Sequence, residues 1–187
     1  MTLRTRAGLI GCTLLLLSAS VPAHEAHVHG VGQLDVALDG NTLSLHLDSP
    51  LANLVGFEHA ANSAKDKQAV RAMSADLRAA GKLFVTSPAA TCNLTAVSLY
   101  AGSIDPLLLG EKAAADATPS GHATADGHAD LDADFTFRCQ HPEQLREIDV
   151  NLFKRFSGFQ RIAVQVVTPK RQSAATLTPD NRTLNLP

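Results

Sequence analysis

The 187-residue sequence predicts an α+β domain, a mainly antiparallel sheet of seven or eight short strands with one principal helix, tied by a disulfide. Three observations carry this. Several short runs alternate apolar and polar residues with period two, the mark of half-buried strands. One stretch, residues 63–80, spaces its apolar residues as a helix does. Cys92 and Cys139 are the two thiols left once an N-terminal export leader is removed.

The leader comes first. Arg4 and Arg6 precede an apolar run from Ala7 to Leu17, and small residues end in Val21-Pro22-Ala23. This pattern reads as a secretory signal peptide cut after Ala23, because the run is far short of the roughly 20 residues that cross a bilayer. Leu9-Ile10-Gly11-Cys12 looks like a lipoprotein box, yet most of the apolar run follows Cys12, on the wrong side of such a cut. Cleavage leaves residues 24–187 as a single domain. Losing Arg4 and Arg6 moves the formal charge from −2 to about −4. There is no basic patch, no Trp and one tyrosine, Tyr100, which argues against nucleic acid as a partner. No later run is apolar enough to span a membrane. In an oxidising compartment Cys92 and Cys139 pair by default, since neither belongs to a C-x-x-C zinc motif. The bridge would close a loop of about 46 residues, contributing about 4 kcal/mol in the chain-entropy model.

From Gly32 the chain alternates, with Leu34, Val36 and Leu38 on one face and Gln33, Asp35 and Ala37 on the other. Asp39-Gly40-Asn41-Thr42 is a turn, and Leu43, Leu45 and Leu47 resume the pattern opposite Ser44, His46 and Asp48. With Gly40-Asn41 as the loop, Val36 faces Leu45 and Asp35 faces His46. The connector Asn53-Leu54-Val55-Gly56-Phe57-Glu58-His59 follows Pro50. Ser63-Ala64-Lys65-Asp66 resembles a capping box, opening a helix whose core stripe is Val70, Met73 and Leu77 and which stops at Gly81. Leu83-Phe84-Val85 starts a strand that Ser87-Pro88-Ala89-Ala90 breaks. Cys92 to Tyr100 alternates again in an ambiguous phase. Residues 110–132 hold hardly a large apolar side chain and read as a flexible loop within the domain. Further strands are expected over Ala133 to Cys139, Leu145 to Phe153, Arg161 to Thr168, and near Thr176-Leu177 and Thr183 to Leu186. His141-Pro142-Glu143 makes a turn, and Lys154 to Phe159 a helical turn or loop.

The residues that carry chemistry are histidines. His24-Glu25-Ala26-His27-Val28-His29-Gly30 places three imidazoles at the expected new N-terminus, and neutral imidazole is the commonest protein ligand for zinc and copper. The bland alternative is a frayed tail that happens to bear histidine. Extending the first strand back to residue 27 would put His27 and His29 on its outer face, about 6.8 Å apart. Glu58 and His59 add donors in the connector. His122 and His128 sit among aspartates in the central loop, where they can collect divalent ions weakly or merely be solvated. Asp35 is a candidate orienting partner for His46 or for a ligand ring. His46 and His141 otherwise read as surface and turn residues. No H-E-x-x-H, G-x-S-x-G, P-loop or G-x-G-x-x-G occurs, and no thiol nucleophile survives export, so no enzyme is indicated.

Five segments together resemble the ZrgA-type zinc-regulated periplasmic proteins. They are His27-Val28-His29-Gly30 with its hairpin, the word Asn53-Leu54-Val55-Gly56-Phe57-Glu58-His59, the paired Cys92 and Cys139, a His-bearing loop before Cys139, and Leu152-Phe153-Lys154-Arg155-Phe156. The resemblance implies a periplasmic protein that binds Zn2+ and supports zinc uptake by delivery to a membrane permease. With only His122 and His128 in the central loop, it does not extend to the long His and Asp run of a high-capacity store. The metal set that follows is His27, His29 and His59, with Glu58 or His24 as a fourth ligand and His122 or His128 swinging in. The same donors serve Cu2+, and the free α-amine of His24 would suit it. Two readings of other classes stand beside this one: a disulfide-stabilised envelope adaptor that binds another protein, and a zinc-dependent hydrolase.

Overall fold

The computed structural model describes residues 28–112 and 129–186. Its scaffold starts with the hairpin. Strands β1 (Val31–Asp39) and β2 (Thr42–Pro50) pair antiparallel in the expected register, Val36 against Leu45 and Asp35 against His46. Gly40 turns the chain at φ +54°. After a single helical turn, α1 (Ala52–Val55), comes the principal helix α2 (Ala64–Arg78). Ser63 caps it by accepting from the Asp66 N–H while the Asp66 carboxylate accepts from the Ser63 N–H, a capping box with Asp in the place of Glu. The helix ends at Ala79 rather than at Gly81, which falls inside a second short turn, α3 (Ala80–Leu83).

The chain continues through β3 (Phe84–Thr86), β4 (Cys92–Tyr100), β5 (Asp130–Cys139) and β6 (Glu147–Val150), then the turn α4 (Leu152–Arg155). It finishes with β7 (Arg161–Val167), β8 (Gln172–Leu177) and β9 (Thr183–Asn185). The six-stranded sheet has the order β4-β5-β2-β1-β7-β8, and β3-β6-β9 form a smaller one. Every pairing is antiparallel except β1 with β7, which run parallel.

Period-two patterning decides which way each strand faces. Leu34, Val36, Leu43, Leu45, Leu47, Phe135, Phe137, Ile162 and Val164 are buried, and they share one cluster with Val70, Met73 and Leu77 of α2 and with Phe84, Ile148 and Val150 of the small sheet. Phe84 and Phe135 meet with ring centroids 5.1 Å apart. The core is thus a slab between one face of the large sheet and a layer made of α2 and the small sheet. The other face of the large sheet is left to polar residues.

Three departures from the sequence reading have local causes. The phase of β4 was ambiguous because its pairing with β5 slips between Leu94 and Ala96, so Thr95 is a bulged residue that breaks the alternation. The run from Leu145 is strand only to Val150, since Leu152 begins α4. The central loop is shorter than residues 110–132: Ala129 and Leu131 are buried, and β5 begins at Asp130. Cys92 and Cys139, partners across β4 and β5, form the disulfide.

Candidate metal centre

The N-terminal histidine word does not continue β1. Val31 N–H donates to the Val28 carbonyl (3.0 Å) and Gly30 has φ +86°, which makes Val28 to Val31 a type II turn with His29 at its first corner. A side chain at position 30 would strike Gln160 as well as strain the backbone. His29 therefore sits in a turn rather than on the strand expected for it, because β1 begins only at Val31. His27 lies outside the described residues, as do His24, His122 and His128.

What holds the turn is Asn53, a 4 % exposed side chain in α1. Its Oδ1 accepts from the Gly30 N–H (2.7 Å), while its Nδ2 donates to the Val31 carbonyl (2.9 Å) and to Ser49 Oγ (3.1 Å). On the far side the Gly30 carbonyl accepts from the amides of Gln160 (2.7 Å) and Arg161 (3.0 Å). Gly158 makes room for this arrangement, since a Cβ there would lie 2.3 Å from the Asn53 carbonyl oxygen.

The same short helix then aims the other donors. Gly56 closes α1 in the left-handed region at φ +84°, its N–H returning to the Ala52 carbonyl (2.9 Å), so Phe57-Glu58-His59 leaves in a new direction. Glu58 Oε1 meets His29 Nε2 at 2.8 Å, joining side chains 29 residues apart. A carboxylate only accepts, so Nε2 carries the hydrogen when the carboxylate is ionised. The Glu58 side chain is 15 % exposed and the His29 ring 67 %, which leaves the ring open to solvent. His59 stacks on Phe57, centroids 4.6 Å apart and planes within 13°. Its Nδ1 donates to the Ala60 carbonyl (2.9 Å), so in the neutral ring Nε2 keeps its lone pair for a metal.

The chain from residue 26 to residue 186 matches the family model described as the ZrgA family zinc uptake protein. This chain belongs to the ZrgA family. No curated protein matches it. The role of a ZrgA chain is uptake, a transport role rather than catalysis, and its cargo is zinc. In this ZrgA chain, among the described residues, no three or more His, Cys, Asp or Glu side chains already stand in a grouping that could hold a metal ion. The described donors of the proposed set are therefore a hydrogen-bonded pair, His29 with Glu58, and a separately oriented ring, His59. Cys92 and Cys139 are spent in the disulfide and supply no thiolate.

A second imidazole is built into the outer face of the large sheet. His46 Nδ1 donates to Asp134 Oδ1 on β5 (2.8 Å), and its Nε2 faces Asp132 Oδ1 at 3.7 Å. Asp35 lies opposite His46 on β1, as the hairpin register requires, but the hydrogen bond goes to Asp134 instead and Asp35 acts through its charge. Partial burial is the largest single influence on this ring and disfavours its charge. The Asp134 hydrogen bond and charge, with the charges of Asp132 and Asp35, outweigh it together and raise the pKa above 6.5. His141, by contrast, is an exposed turn residue 3.7 Å from Glu143.

Sequence reasoning missed Asn53 and Gly158 as the residues that position the site, and missed Asp132 and Asp134 as partners of His46. The signal for Asn53 was the connector word itself. The signal for the aspartates was the alternation of Leu131, Ala133 and Phe135, which runs back into the stretch taken as loop.

Two outcomes follow. Asn53→Ala leaves the buried Gly30 N–H without its acceptor, and is expected to cost about 1–3 kcal/mol in urea unfolding and to speed hydrogen exchange at the Gly30 amide. Unchanged exchange there would contradict the clamp. For His46, NMR titration of the metal-free protein should give a midpoint above 6.5, lowered by Asp134→Asn. Because folding raises this pKa, the stability His46 contributes is complete below pH 6.5 and is lost as pH rises through the folded value.

Proposed function

We propose that this chain is exported, that its leader is removed after Ala23, and that the mature protein captures Zn2+ in the periplasm and delivers it to a membrane permease. The apolar run after Arg4 and Arg6 supports export, and the family match begins at residue 26, just past the cleavage site. Among the described residues no helix is long and apolar enough to cross a membrane.

The capture site consists of His29, Glu58 and His59, with His27 joining from the residues before the turn. His24, His122 and His128 are auxiliary donors that add to the encounter rate. The observation that carries this reading is the Asn53 clamp, which brings an N-terminal imidazole within 2.8 Å of Glu58 while the adjacent His59 keeps Nε2 for a ligand. Zinc bonds of about 2.0–2.2 Å to nitrogen and oxygen set two ligand atoms roughly 3.4 Å apart in a tetrahedron. Capture therefore replaces the hydrogen of the His29 to Glu58 bond with the ion and opens that contact by about half an ångström.

Delivery follows from exposure. The ring of His29 is largely solvent-exposed, so a partner's ligands can approach the ion from outside and replace the donors one at a time. The start of β5 is fastened beside α1, since the Leu51 N–H donates to the Ala129 carbonyl (2.8 Å). Copper would compete for these donors, being the stronger binder of such sites.

Equilibrium dialysis of the mature protein tests the site. The triple variant His27→Ala, His29→Ala and His59→Ala should lose one bound Zn2+ per chain, while His141→Ala binds as the parent does. Undiminished zinc in the triple variant would remove the site and leave the chain an adaptor that binds another envelope protein.

A further inference from the structure

His59 is an exposed residue in a stretch without helix or strand, between the end of α1 and the Ser63 cap of α2. A histidine so placed turns among several rotamers, and each turn carries Nε2 to a different point. Two contacts restrict this one. Its Nδ1 donates to the Ala60 carbonyl (2.9 Å), and its ring lies on the ring of Phe57, centroids 4.6 Å apart and planes within 13°.

The two contacts differ in what they are tied to. Ala60 is itself exposed and adjoins His59 in the chain, so its carbonyl moves with the same segment. Phe57 is half-buried and packs against the hydrophobic core, as do Leu54 and Val55 of α1. It therefore refers the imidazole to the body of the protein, which the Ala60 bond cannot do. The stack sets the plane of the ring and the Nδ1–H bond its rotation within that plane, so that Nε2 is left one direction. A metal bonds to a ring nitrogen in the plane of the ring, along its lone pair. An aromatic partner on the face leaves that bond unobstructed.

We propose that Phe57 is a positioning residue of the zinc site, holding the His59 ring against a core-anchored phenyl face so that Nε2 meets the ion already oriented. The proposal rests on the capture reading above and adds to it a residue that touches no metal. A ligand held before binding loses less freedom when it binds, so removing the phenyl ring weakens capture although every donor atom remains. The loss is that of one aromatic pair, about 2- to 10-fold in affinity. A phenyl ring that served packing alone would act on stability and leave the orientation of His59 unchanged.

The test is zinc titration of the mature protein with NMR of the His59 ring, on the parent, Phe57→Leu, Phe57→Tyr, His59→Ala, and Phe57→Leu combined with His59→Ala. In the parent the His59 ring protons should show nuclear Overhauser contacts to the Phe57 ring without metal and keep them when zinc is bound. Phe57→Leu should shift those protons downfield, as the shielding of the phenyl face is lost, and weaken zinc binding by about 2- to 10-fold. Phe57→Tyr, which keeps the ring, should restore both. Once His59 is alanine, Phe57→Leu should weaken binding no further. A loss of equal size with and without His59 would overturn the positioning role, since Phe57 would then act through the fold. So would ring contacts that vanish in the parent when zinc binds, a result that needs no variant to fold. If His59→Ala weakens binding and Phe57→Leu does not, positioning fails and the capture site stands. If His59→Ala binds zinc as the parent does, the capture reading falls and the proposal with it.

Discussion

A single buried amide decides where the turn bearing His29 sits. Asn53 satisfies the Gly30 N–H, the Val31 carbonyl and Ser49 Oγ at once, and in doing so joins the turn before β1, the end of β2 and the short helix α1. No other side chain of that size offers donor and acceptor on one planar group. Without it the buried Gly30 N–H would lose its acceptor, and the turn would rest on the bonds from Gln160 and Arg161 to the Gly30 carbonyl. With it, an exposed imidazole is held at one address beside Glu58. Gly158 and Gly56 serve the same point from either side, one by yielding space to the Asn53 backbone and the other by redirecting the chain toward Glu58 and His59.

The large sheet separates two tasks by the alternation of its strands. Its inner face supplies aliphatic and phenyl side chains to a core shared with α2 and the small sheet, and this is where stability resides. Its outer face carries His46 with Asp35, Asp132 and Asp134 about it, and the turn beside α1 carries His29 against Glu58. Because the polar residues project from strands fixed by the core beneath, their spacing is set by the ladder rather than by the side chains themselves. A zinc uptake protein has use for such partial preorganisation, since donors locked fully in place would retain the cargo.

Short-range features were legible in the sequence. The Asp39-Gly40-Asn41-Thr42 turn set the hairpin register, and with it the facing of Asp35 and His46. Ser63 and Asp66 marked the start of α2, and Val70, Met73 and Leu77 its buried side. Setting aside Cys12 in the expected leader left two cysteines and one pairing. Features that depend on distant segments were not legible. The parallel pairing of β1 with β7 brings together residues about 130 positions apart and has no local signature. The His29 to Glu58 contact needed the Asn53 clamp, which looks in the sequence like any polar residue in a connector. His29 itself was assigned to a strand because period two was extended past Gly30, a residue whose left-handed backbone ends the pattern. The partners of His46 were hidden because Asp132 and Asp134 share the composition of the loop before them, and only the intervening Ala133 and Phe135 mark them as strand.

The central claim is that imidazoles from the N-terminal turn and from the connector after α1 converge on one cation. A crystal structure of the mature protein with zinc, with anomalous scattering recorded at the zinc edge, examines this directly. A zinc peak is expected within about 2.0–2.2 Å of His59 Nε2 and of donor atoms from His29 and Glu58. Zinc-saturated crystals in which His29 and His59 stay apart, with no peak between them, would contradict it.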